Sequence, residues 1–360
     1  MVPHSSPVLF IVGPTASGKS ALALELAKRL GGEIISADSM QVYRGMDIGT
    51  AKPSKEERAR VPHHLLDILP PSKSFSAFEY RKLALEKIRE IVRRGKLPIV
   101  AGGSGLYVRA LLRGLDERPG GNPRLRRRLE AEIKRKGLAS VFRRLEKADP
   151  AAAAKVDSQN ARRVIRALEI WEARKKKKPG PFASLRMRPS CCHPEEAEGR
   201  RRISKQSLRA LGFEPVVVGI LKDRAELYAA IHGRVEEMFR RGLADEVRRL
   251  SKKKLSVTAR QAIGYKEILA ALKKGVILRP KAEESRSFAQ AFCSPRRGSL
   301  RMTTTEPVSP VSSTDIMKAT RRFAKRQMTW FKREEGIRWV LWPAGAAVSD
   351  IADRVGDHLK

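Results

Sequence analysis

The stretch VLFIVGPTASGKSALALELAKRLGGEIISAD, residues 8–38, decides the fold. Its first six residues, VLFIVG, form a continuous apolar run of the kind a strand covered on both faces requires. SALALELAKRL at 20–30 has helical spacing and is stopped by Gly31 and Gly32, and EIISAD at 33–38 is a second short apolar segment. Strand, loop, helix and strand in that order open an α/β parallel sheet. The loop itself, GPTASGKS at 13–20, fits the spacing G-x-x-x-x-G-K-[ST]. Gly13 and Gly18 let backbone N–H groups curl inward, and Pro14, Thr15, Ala16 and Ser17 make the arc between them. Lys19 adds a point charge, the helix N-terminus adds its dipole, and the Ser20 hydroxyl can ligate Mg²⁺. The hydroxyls of Thr15 and Ser17 either bind phosphate or shape the loop. Such a cradle binds phosphate without saying whose. ATP is its commonest occupant, so ATP binding by a small-molecule kinase is the first candidate.

Outward from the cradle, LPIVAGG at 97–103 and VVVGIL at 216–221 are further strand candidates, the former preceded by the amphipathic segment FEYRKLALEKIREIVRRG. The fold class is therefore α/β, a P-loop NTPase-like parallel sheet flanked by helices, with a helical insertion domain. Residues 1–116 form the first part of the core. Residues 117–180 are helical and strongly basic; Val164, Leu168 and Trp171 recur at i, i+4 and i+7 as a packing stripe. Residues 181–213 read as a poorly structured insertion. Residues 214–343 complete the core, interrupted by a second irregular segment at 280–314, and 344–360 read as a C-terminal tail.

The chain has 360 residues, with 75 Lys and Arg against 39 Asp and Glu, a net charge of +36. An excess of that size favours a polyanionic partner, because each neutralised phosphate releases condensed counterions. Cys191, Cys192 and Cys293 form no CxxC pair, so neither a disulfide framework nor a zinc site is expected. No apolar run approaches the roughly 18 residues needed to span a bilayer. The N-terminal MVPHSSPVLFIVG lacks a basic leader region, so a cytoplasmic location is expected.

Behind the cradle, ISADSMQVYRGMDIGTAKPS at 35–54 resembles the tRNA dimethylallyltransferases. So do VPHHLLDI at 61–68, LPIVAGGSGLYVRALLRGL at 97–115, RRVIRALEIW at 162–171, DRAELYAAIHGRVEEMFRRGLADEV at 223–247, QAIGYKE at 261–267 and TRRFAKRQMTWFKR at 320–333. The resemblance implies that the cradle takes the pyrophosphate of dimethylallyl pyrophosphate rather than ATP, with Mg²⁺ assisting. It implies transfer of the prenyl group to the exocyclic amine of the adenine immediately 3′ of the anticodon, within a tRNA anticodon stem-loop. Asp38 is implied as the base that accepts the amine proton, the alternative being a metal-contacting acid. Lys19 and Arg224 are implied to bind the leaving pyrophosphate. The tRNA-contacting positions carried over are Asp38, Ser39, Met40 and Gln41; Ser104 and Arg126; Gln159, Asn160, Ala161, Arg162 and Arg163; and Gln261, Ala262, Ile263, Gly264, Tyr265 and Lys266. Gln41 is expected at the edge of the flipped base, and Arg162 and Arg163 on backbone phosphate. In TRRFAKRQMTWFKR the basic residues are candidates for RNA, while Phe323 and Trp330 are expected to pack. The chain is expected to act as a monomer.

Overall fold

The computed structural model describes residues 6–115, 121–176, 207–273 and 313–357. These residues divide into two compact units, one from 1–114 with 203–360 and one from 115–202.

The larger unit is built on six strands, β1 (Ser6–Val12), β2 (Gly32–Ser36), β3 (His63–His64), β4 (Leu97–Gly102), β5 (Phe213–Lys222) and β6 (Ile337–Trp342). Their spatial order is β3-β2-β4-β1-β5-β6, and every pairing is parallel. The P-loop-type parallel sheet read from the sequence is thus the fold. Alternation along β1 shows why both faces are covered. Val8, Phe10 and Val12 join a core with Tyr80, Ile88 and Val108, on helices α3 (Ala77–Arg93) and α4 (Gly105–Arg113), whereas Leu9 and Ile11 join Leu22 and Leu26 of α1 (Lys19–Arg29). A short helix, α2 (Lys55–Arg60), opens with a capping box between Ser54 and Glu57.

The smaller unit holds α5 (Pro123–Lys136), α6 (Leu138–Ala148), α7 (Pro150–Ala153) and α8 (Ala161–Lys176). Their apolar stripes meet at Leu129, Val141, Leu145, Val164 and Leu168, all fully buried. Trp171 is only half-buried, with Lys175 Nζ 5.3 Å from its ring centre.

After β5 come α9 (Arg224–Arg240), α10 (Leu243–Ser251), α11 (Val257–Arg260) and α12 (Tyr265–Lys273), then α13 (Ser313–Phe331) and α14 (Val348–Gly356). Helices α9 to α13 bury Val235, Leu243, Val247, Tyr265, Ile268 and Ile316 against Val42, Tyr43 and Met46, which follow β2. That contact fixes the loop carrying the Asp38 segment.

The structure corrects several boundaries. Residues 344–360 are not merely a tail, because α14 buries Ile351 and Val355 beside Leu22 and Leu26 of α1. Strand β6 was not anticipated, although IRWVLW has strand composition. Ser207–Gly212 are an ordered lead-in to β5, since Leu208 is fully buried and its N–H donates to Leu112 O. Ser313 and Thr314, read as part of the second irregular segment, begin α13. Phe213 opens β5, and the remaining residues of both irregular segments, 181–206 and 280–312, with all three cysteines, lie outside the described residues.

Candidate active site

The cradle follows β1 as a left-handed arc. Gly13 has φ 146°, Ala16 φ 63° and Gly18 φ 93°. Gly18 is required twice over: its φ is positive, and a Cβ there would lie 2.7 Å from the Trp342 ring at the end of β6. Gly18 also caps α1 without a side chain, which leaves the first N–H groups of that helix available to an anion. Among the described residues the Ser17 hydroxyl has no hydrogen-bond partner and is buried, an orphan that a phosphate oxygen would satisfy. The Lys19 ammonium donates to Pro14 O across the loop.

Sheet order sets what faces the cradle. Strand β4 lies between β1 and β2, so the residues after β1 and after β2 stand two strand spacings apart, about 10 Å. The β4 connection is stitched to the β2 side: Ala37 N–H donates to Ala101 O, Ser104 N–H to Ala37 O, and Ser39 N–H to Ser104 Oγ at 3.0 Å. Asp38 follows β2, half-buried, with Oδ1 accepting from Met40 N–H at 2.8 Å and the other oxygen without a hydrogen bond among the described residues.

One narrow cleft brings these groups together. Thr15, Lys19, Ser20, Asp38, Gln41 and Gly103 line it, with Arg234, Phe323 and Gln327 closing it from α9 and α13. Burial and the neighbouring Arg234 guanidinium push the Lys19 ammonium down to about 7, with Asp38 pulling the other way. Two cations beside one carboxylate make a site that gains from an arriving anion.

Arg234 was missed by sequence reasoning, which had chosen Arg224. The two lie ten residues apart on α9, about 15 Å along its axis. Arg224 is exposed at the first turn, where its guanidinium sits 5.4 Å from the Tyr228 ring centre; it is not among the residues lining the cleft. Arg234 was findable, since the apolar stripe Leu227, Ile231, Val235 and Met238 puts it on the flank of the buried face.

The IPP transferase family profile matches residues 41–334. This chain belongs to the IPP transferase family. A tRNA dimethylallyltransferase of Geobacter metallireducens is 42% identical over 93% of this chain and 93% of that protein. One from Anaeromyxobacter dehalogenans is 40% identical over 93% and 95%. The crystal structure of the tRNA isopentenylpyrophosphate transferase of Bacillus halodurans superposes with a TM-score of 0.60 at 34% identity, covering 98% of this chain and 96% of that one.

Within this IPP transferase fold, the other positions carried over from sequence divide by burial. Gln41 lines the cleft, but its carboxamide is engaged: Oε1 accepts from Ser36 Oγ at 2.8 Å and Nε2 donates to Thr50 O and Ala51 O, both at 3.2 Å. It therefore offers a base edge an acceptor, not a donor. Met40 packs against the α9–α13 core. Of the 261–266 segment, Gln261 and Lys266 are exposed and Ile263 half-buried, while Ala262, Gly264 and Tyr265 are buried; the Tyr265 hydroxyl donates to Glu246. In the helical unit, Arg162, Arg163 and Gln159 are exposed, and Asn160 and Ala161 are half-buried at the start of α8. Arg126 is half-exposed and pairs at 2.9 Å with the buried Glu169, so it holds that unit together whatever else it touches.

On the larger unit, the outer face of α13 carries a broader groove of about 430 Å³, lined by Arg322, Lys325, Arg326, Thr329, Trp330 and Arg333. Trp330 also packs inward under Arg109, whose guanidinium is 4.6 Å from its ring centre, and Phe323 turns to the cleft. The groove is larger than the cleft, yet it holds no carboxylate and no cradle. Four of its six lining residues are basic. Among the described residues, no helix is long and apolar enough to cross a membrane.

Proposed function

We propose that this protein transfers a dimethylallyl group from dimethylallyl pyrophosphate to the exocyclic amine of the adenine 3′ of the anticodon in tRNA. The observation that carries this reading is the single cleft in which Asp38 faces Lys19 and Arg234 across the β4 connection. The amine lone pair is delocalised into the adenine ring, so the nitrogen attacks only as its proton is taken up. Asp38 Oδ2 accepts that proton. The new nitrogen–carbon bond forms as the carbon–oxygen bond to the pyrophosphate breaks, and the electron pair leaves with the pyrophosphate. Lys19, Arg234 and the free N–H groups of the cradle stabilise the charge that develops there. Phe323 supplies an apolar wall for the prenyl carbons.

The oxygen donors at the cradle suit a hard cation, and the orphaned Ser17 hydroxyl supports an oxyanion as the occupant of the loop. Ser20 would hold Mg²⁺, which when bound neutralises part of the pyrophosphate charge. The tRNA is held by charge, with Arg322, Lys325, Arg326 and Arg333 of the α13 groove on backbone phosphate. An unpaired loop base reaches a cleft at small cost, because little stacking is lost. The protein is proposed to act in the cytoplasm as a monomer.

Incubation with labelled dimethylallyl pyrophosphate and unmodified tRNA, followed by mapping of the labelled nucleotide, tests the proposal. Label is expected on the adenine beside the anticodon, and Asp38→Asn should slow transfer by about 10²- to 10⁴-fold while tRNA binding persists. Turnover of ATP without consumption of the prenyl donor would instead support the kinase reading of the cradle.

A further inference from the structure

Gln327 lies on α13, is only 7% exposed, and is the residue through which that helix grips two loops of the cleft at once. Its Oε1 accepts the Thr15 N–H at 2.8 Å, and its Nε2 donates to Gly103 O at 2.9 Å. The first bond holds the entering arm of the cradle. Pro14 has no N–H and the Thr15 N–H is taken, so the donors left for an oxyanion begin at Ala16 and run to the start of α1. The second bond holds the β4 connection, which is itself stitched to Ala37 and Ser39 on either side of Asp38. Gly103 leaves no slack: a Cβ there would lie 2.2 Å from Gln327 Nε2. Helix α13 is a rigid mount for this side chain, with Ile316, Met317 and Phe331 all in the core.

We propose that Gln327 is a positioning residue that sets the separation between the phosphate cradle and the Asp38 carboxylate. The proposal rests on the transfer reaction above, in which the electrophile is held by one loop and the base by the other. A carboxamide is required because one bond needs an acceptor and the other a donor, at the reach of a four-atom side chain. Gln327 touches neither proton nor leaving group in this role. A displacement of about 1 Å between reacting groups costs about 10²-fold in rate, which is the effect expected when the tie is cut.

Gln327→Met keeps the length and apolar stem but makes neither bond. It should lower kcat about 10²-fold, with tRNA affinity unchanged and KM for dimethylallyl pyrophosphate moved only a few-fold. Gln327→Glu keeps the acceptor and loses the donor. Hydrogen exchange gives a readout that needs no catalysis. The Thr15 amide should be protected in the ligand-free protein, exchange faster in Gln327→Met, and stay protected in Gln327→Glu. A wild-type kcat in Gln327→Met, or Thr15 exchange that none of these changes moves, overturns the proposal. If the wild-type protein transfers no prenyl group at all, the transfer reading fails, and the exchange pattern alone decides whether Gln327 ties the loops.

Discussion

Lys19 is the residue in which burial and function conflict most directly. A lysine whose folded pKa is about 7, against an ordinary 10.5, binds fewer protons folded than unfolded between those values. Its penalty on the folded state therefore fades as pH rises from 7 to 10.5, and its full cost is felt below 7. Pyrophosphate reverses the preference, because the bound anion favours the charged ammonium. Binding of the prenyl donor should take up a proton above pH 7 and weaken as pH rises beyond it. Titration calorimetry in two buffers of different ionisation enthalpy measures that uptake. Removing Arg234 removes a charge that holds Lys19 down. Arg234→Gln should thus move the midpoint upward and weaken donor binding by about tenfold or more, whereas Arg224→Gln should leave the midpoint in place. An unchanged midpoint in Arg234→Gln would remove Arg234 from the site.

At the scale of elements, the loop after β2 is held from outside itself. Glu246 of α10 is buried and accepts from the N–H groups of Asp47, Ile48 and Gly49 at 2.9, 2.9 and 3.3 Å, as well as from the Tyr265 hydroxyl. Burial and that carboxylate push the Tyr265 hydroxyl far above its ordinary value, so it stays a donor at any working pH. A second tie is Lys52, whose buried ammonium meets Asp47 and Asp67. These contacts place Thr50 and Ala51, whose carbonyls in turn fix Gln41. Glu246→Gln turns an amide N–H₂ either towards the Asp47 and Ile48 N–H groups or towards the Gly49 N–H and the Tyr265 hydroxyl, and should destabilise the fold by about 2–4 kcal/mol in thermal melts. Tyr265→Phe removes one bond and should cost about 1 kcal/mol. Equal melting temperatures for Glu246→Gln and the wild type would mean the loop carries its own order. Nothing in MDIGTAKPS advertises that its turn is built around a carboxylate some 200 positions away, which is why only the loop's identity was legible and its support was not.

For the whole molecule, charge is the dominant property, and both units carry basic residues. Affinity for tRNA should fall steeply with salt. Arg326→Ala, on the outer face of α13, should flatten the plot of log K against log salt by about one. Arg126→Ala should do more than change that slope, because Glu169 would lose one of the two cations, Arg126 and Arg166, that neutralise it in the helical unit. A melting temperature lowered along with affinity is the expected outcome for Arg126, and lowered affinity alone for Arg326. A salt slope unmoved by Arg326→Ala would take the α13 groove out of the RNA surface.

Local signals determined much of this protein. The β1–cradle–α1–β2 passage, the strands at 97 and 216, and the basic helices were readable because periodicity, glycine placement and the G-x-x-x-x-G-K-S spacing are properties of neighbouring residues. The positions of Lys19, Ser20 and Asp38 followed from the same short passage. The tertiary structure alone decided which arginine of α9 enters the cleft, that Gln327 joins two loops, that Glu246 anchors a third, and that Val348–Gly356 form a helix on α1. Each of these depends on groups brought together across hundreds of residues by sheet order and helix packing. A bond between distant parts of the chain leaves no mark on the local pattern of either partner.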